Sequence, residues 1–136
     1  MIMIIKNEGI FMDKQYKTIA IRGAITLNEN SKQEITSTVI ELLNKIIQEN
    51  NLDKDDIISA IFTMTEDLNA EFPAKAARIH LGWNDVSMIC ARELPIPDSL
   101  PMCIRVLIHI NTLMDKKDIK HIYLRNAANL RPDIIN

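Results

Sequence analysis

Residues 16–50, YKTIAIRGAITLNENSKQEITSTVIELLNKIIQEN, decide the fold. From Tyr16 to Thr26 the chain alternates, with Ile19, Ile21 and Ile25 on one side and Ala20, Arg22 and Ala24 on the other. Period-two alternation predicts a strand with one apolar face. Ser31 and Glu34 then form an S-x-x-E capping pattern. Behind it Ile35, Val39, Leu42, Leu43, Ile46 and Ile47 fall on one stripe of a helix that reaches to about Asn50. A strand followed at once by an amphipathic helix needs further strands to complete a sheet for the helix to cover.

Those strands are legible downstream. Residues 57–64 form an apolar run and residues 65–71 are polar and irregular. Pro73 suits the first turn of a short helix running to Leu81, with Gly82 as its cap. Residues 86–93, 103–111 and 119–124 predict three more strands, and LPIPDSLP (94–101) must be a loop. A short helical turn is expected at 126–130, before Arg131-Pro132. The predicted fold class is α/β (α+β): a single domain with a mixed five-stranded sheet packed by one main helix.

The length of 136 residues suits one domain. The opening segment MIMIIKNEGIFMDKQYK has its lysine after the apolar residues, and no small-residue cleavage site follows. Residues 1–15 are therefore expected to be an extension, disordered or a mis-assigned start with Met12 as the true one, and 16–136 the domain. No apolar run approaches the roughly 20 residues of a membrane span. The net charge of -2 argues against a nucleic-acid partner. Cys90 and Cys103 lack metal-type spacing, which predicts reduced thiols in the cytoplasm.

Several polar residues stand where chemistry could use them. Arg22 and Arg105 lie mid-strand, and an arginine there must meet an anion or water, because an unpaired buried charge is costly. A structural ion pair and a ligand contact both satisfy that demand. Lys75 and Arg78 share one face of the short helix that Phe72 and Pro73 open; a solvated basic face explains them as well. Glu93 ends a strand before the proline-rich loop. Cys90 and Tyr123 could be packing residues, and Arg131 a solvated tail residue. His80, His109 and His121 show no metal-ligand pattern. There is no phosphate loop, serine elbow or CxxC, and only three glycines. No cofactor and no metal is expected.

Taken in order, the segments IAIRGA (19–24), DLNAEFPAK (67–75), GW (82–83), MIC (88–90), CIRV (103–106), YL (123–124) and LRPD (130–133) resemble the AroH class of monofunctional chorismate mutases. The resemblance runs from about Thr18 to Asp133. It implies a homotrimer, a chorismate-mutase-like pseudo-α/β barrel with active sites at subunit interfaces, acting on chorismate and yielding prephenate for phenylalanine and tyrosine synthesis. By the same resemblance, Arg105 stands beside the breaking ether oxygen and Arg22 and Tyr123 hold the side-chain carboxylate. Glu93 lies near the ring hydroxyl, at the opposite end of the pocket from Arg105, with Cys90 as its neighbour. Phe72, Ala74, Lys75 and Arg78 match pocket positions, Arg78 facing the neighbouring chain. Leu130 and Arg131 match a mobile closing segment. Asp98 stands where a glycine is more usual.

The reaction so implied is a concerted [3,3] rearrangement of a dianion, which asks for cations and needs no base, nucleophile or cofactor. A planar guanidinium holds a carboxylate with two hydrogen bonds. Two alternatives share the outline: a trimeric enamine/imine deaminase-like enzyme, and a non-catalytic trimer that binds an anionic metabolite.

Overall fold

Alternation along residues 17–26 does produce the expected strand. The computed structural model describes residues 3–6, 9–12 and 15–134. Strands β1 (Met3–Lys6) and β2 (Gly9–Met12) form an antiparallel ladder, Met3 opposite Met12, which among the described residues is a two-stranded sheet of its own. They stand where the sequence predicts no regular structure; residues 1, 2, 7, 8, 13 and 14, and with them Met1, lie outside the described residues.

The main sheet follows as β3 (Lys17–Thr26), β4 (Ile57–Met64), β5 (Ser87–Arg92), β6 (Cys103–Thr112) and β7 (Ile122–Leu124). Its spatial order is β5-β4-β6-β3-β7. β6 runs antiparallel to both β3 and β4, while the outer pairs β4–β5 and β3–β7 are parallel. The sheet is thus mixed and five-stranded, as expected. β7 is shorter than predicted: apolar Ile119 is buried, but it follows a 3-10 turn at Lys116–Asp118 and joins no strand.

Helix α1 (Lys32–Asn50) covers one face of this sheet. The Ser31 hydroxyl accepts from the Glu34 N–H at 3.1 Å, half of the predicted capping box. The other half differs, because the Glu34 carboxylate accepts from the Asn28 N–H at 2.8 Å and ties down the preceding turn instead. At the far end Asn51 adopts a left-handed conformation, φ 52, and its N–H reaches back to the last turn. The helical stripe Ile35, Val39, Leu42, Leu43 and Ile46 is fully buried against Ile21, Ile25, Phe62, Ile104 and Ile108. Each such side chain contributes on the order of 2 kcal/mol by leaving water.

Helix α2 (Pro73–His80) packs beside α1 in the crossover from β4 to β5. Pro73 occupies its first turn, and Gly82 just beyond has φ 70, a conformation that glycine adopts without cost. In the loop 94–101, Asp98 itself takes the left-handed conformation, φ 66, so the turn a glycine would favour is kept. No helix among the described residues is long and apolar enough to cross a membrane.

Candidate active site

With α1 on one face, the alternate residues of β3, β4 and β6 point out of the other. On β6 these are Arg105, Leu107 and His109. Register sets their neighbours. Arg105 lies between Ala24 of β3 and Thr63 of β4, and Leu107 lies between Arg22 and Ile61. Tyr123 of β7 pairs with Ala24 and so joins the same face. On this face lies a cavity of about 290 Å³, lined by Arg22, Ile61, Thr63, Arg105, Leu107 and Tyr123. Arg22, Arg105 and Tyr123, far apart in sequence, line this one cavity.

Arg105 is held by Glu93. Its Nε–H donates to both carboxylate oxygens, each at 3.0 Å, and the Thr63 hydroxyl donates to Oε2 at 2.9 Å. The Glu93 N–H donates to the Met64 carbonyl at 3.0 Å, carrying the β4–β5 pairing one residue further. The carboxylate is mostly covered while the guanidinium is half exposed, with side-chain exposures of 14% and 42%. Among the described residues only Nε of the guanidinium is engaged, which leaves its terminal N–H edge for a ligand. This corrects the expectation that Arg105 and Glu93 stand at opposite ends of a pocket. The two touch across β4, because the register of β5 and β6 on either side of that strand brings Glu93 and Arg105 together over Thr63. Thr63 is a site residue that sequence reasoning missed; its only signal is a hydroxyl on the outward phase of an otherwise apolar strand.

Around Arg22 lies a second layer. The Arg22 N–H donates to His121 Nδ1 at 2.9 Å. Burial first, then the charges of Arg22 and Arg131, hold the His121 pKa below its ordinary value. Leu130 packs with Tyr123 against Ala24, Cys103 and Ala127. Arg131 meets Asp133 through two hydrogen bonds, from Nε at 3.0 Å and from Nη2 at 2.8 Å. Burial pushes the Cys103 thiol up to about 11, with the Glu93 charge adding to the effect.

The remaining expected residues gather elsewhere. Phe72, Ala74, Lys75, Arg78 and Cys90 line a groove of about 550 Å³ between α2 and the edge strand β5. Lys75 pairs with Glu71 at 3.3 Å. Cys90 is exposed and pairs in register with Phe62, which faces α1. Within one chain it therefore lies on the opposite face of β5 from Glu93. Within one chain the two groups of residues form separate half-sites. Two large apolar side chains line the second of them, Phe72 at 68% exposure and Ile89 at 63%.

Comparison with known proteins points to one family. The family profile "Chorismate mutase type I" matches residues 18–134. Chorismate mutase AroH of Thermus thermophilus is 44% identical over 115 residues, covering 84% of this chain and 93% of that protein. Chorismate mutase AroH of Bacillus subtilis is 39% identical over 114 residues, with coverages of 84% and 90%. A solved chorismate mutase from Clostridium thermocellum superposes with a TM-score of 0.80 at 50% identity, covering 82% of this chain and 98% of that one. In sequence and in fold alike, the chain belongs to the type I, AroH-class chorismate mutases.

Proposed function

We propose that this chorismate mutase turns chorismate into prephenate at sites shared between neighbouring copies of a homotrimer, in the route to phenylalanine and tyrosine. In the rearrangement the ether C–O bond breaks while a C–C bond forms. No proton moves and no covalent enzyme intermediate is required. The enolpyruvyl arm must fold over the ring, so holding it there supplies part of the barrier reduction. As the ether bond opens, its oxygen gains negative charge and the ring gains positive charge.

The observation that carries this reading is the bracing of Arg105 by Glu93 at 3.0 Å. The pair fixes a guanidinium edge in advance where negative charge would develop, which is the arrangement that costs no reorganisation during reaction. The Glu93 carboxylate stands ready for the opposite charge on the ring. Arg22 and Tyr123, across the cavity, suit one substrate carboxylate. Lys75 and Arg78, in the other half-site, would complete the pocket from an adjacent copy, with Phe72, Ala74 and Cys90 as its wall and Leu130 and Arg131 closing over the ligand.

Support for sharing comes from the two half-sites on opposite faces of β5 and from the apolar side chains around the groove. We take residues 16–136 as the catalytic unit and 1–15 as lying outside it, in line with a family match that begins at residue 18. A cytoplasmic setting suits the two unpaired thiols. The direct test follows the loss of chorismate and the appearance of prephenate with purified protein and no added cofactor. Tight chorismate binding without prephenate would overturn the catalytic reading.

A further inference from the structure

The short turn after β4 holds a clamp that no catalytic role uses. Arg92, the last residue of β5, donates from Nη1 to two backbone carbonyls, Thr65 at 2.8 Å and Leu68 at 2.7 Å. Such charge-assisted bonds are short and stronger than neutral ones. The same turn grips the start of β6. The Thr65 hydroxyl accepts from the Cys103 N–H at 3.0 Å, and the Thr65 N–H donates to the Cys103 carbonyl at 3.1 Å. The Asp67 carboxylate accepts from the Met102 N–H at 3.0 and 3.2 Å, and the Thr65 hydroxyl donates back to Asp67.

These bonds connect two strand ends. Arg92 directly precedes Glu93, and Cys103 lies two residues before Arg105. Between the strand ends the covalent path is the loop 94–101, whose Leu94 and Ile96 point into solvent. The hydrogen-bonded path through residues 65–68 is far shorter. By strand alternation Arg92 is on the face of β5 away from Glu93, so it touches neither the catalytic pair nor the cavity.

We propose that Arg92 is a positioning residue. By locking the 65–68 turn to the end of β5, it sets the distance between Glu93 and Arg105, and so the aim of the guanidinium. The inference rests on the catalytic reading of Arg105 given above. It makes a specific kinetic demand. Arg22 and Tyr123, which suit a carboxylate present throughout the reaction, sit on β3 and β7, outside the clamp. Arg105 is aimed at charge that exists only in the transition state, so its misplacement lowers kcat without weakening binding.

Steady-state kinetics on Arg92→Ala and Arg92→Lys test this, with the parent protein and Arg105→Ala beside them. Arg92 is exposed, so truncating it opens no cavity in the core, and the alanine variant is expected to fold. Expected for Arg92→Ala is a kcat lower by about 10- to 100-fold per folded molecule, the scale of a misplacement near 1 Å, with KM within about twofold of the parent. Arg92→Lys keeps a charged donor and should recover most of the loss. Unchanged kcat per folded molecule in Arg92→Ala overturns the proposal, as does a KM that rises in step with the fall in kcat. An inactive parent, or an unimpaired Arg105→Ala, would instead strike the catalytic reading beneath it.

Discussion

Arg105 meets Glu93 through Nε alone, and that choice of atom separates its charge from its geometry. Removing the side chain should cost about 10²- to 10³-fold in kcat, or roughly 3–4 kcal/mol of transition-state stabilisation, with a much smaller change in KM. Initial rates of chorismate loss by Arg105→Ala check this, and a folded variant with near-native kcat would refute the role. Arg105→Lys should also be poor, because lysine keeps the charge but has no planar fork for the carboxylate to orient. His121 supplies the pH prediction. Burial, Arg22 and Arg131 lower its pKa in the folded chain, so folding favours the neutral ring. Its contribution to stability is complete above the ordinary value of 6.5, falls as pH drops through that range, and levels off below the depressed folded value. The urea midpoint should be lower at mildly acidic pH than at pH 8, and His121→Asn should narrow that gap; an equal gap in the variant would reject His121 as its source.

Between elements, α1 approaches β3 closely at Gly23. A methyl group added there would come within 2.6 Å of Ile46 Cδ1 and 3.1 Å of Val106 Cγ1. Gly23→Ala should destabilise by about 1–3 kcal/mol through overpacking. Chemical denaturation measures this, and adding Ile46→Val should restore part of the loss; strictly additive effects would show that the two sites do not collide. The elements themselves were largely legible in the residues. The stripe from Ile35 to Ile46, with Ser31 before it, marks α1, and alternation or apolar runs mark β3, β4 and β6, because burial on one face leaves a period in the chain. What lay hidden was tertiary. Nothing local says that Glu34 would serve Asn28 rather than Ser31, or that Ile119 would be buried without joining a strand. Resemblance identified Arg105, Glu93 and Arg22, but the contact between Arg105 and Glu93 depends on how β5 and β6 are placed in register on either side of β4. Thr63 and Arg92 act through partners distant in sequence, and their own neighbourhoods carry no signal of it.

For the molecule as a whole, the net charge of -2 hides a local arrangement of cations on two faces. If sites are completed by a neighbour, Arg105→Ala and Arg78→Ala each disable a different half-site. Mixed and reassembled, the two variants should regain activity, since random assembly of symmetric oligomers joins two intact halves at about a quarter of the sites. Light scattering on the same samples gives the number of copies. Recovery absent from demonstrably mixed oligomers would place each site within a single chain. The division of residues across the edge strand has a further consequence on that reading. A freshly made chain is a spectator: it carries every functional group and turns over nothing. Catalysis begins only on encounter, so at scarce supply output would climb more steeply than the number of chains.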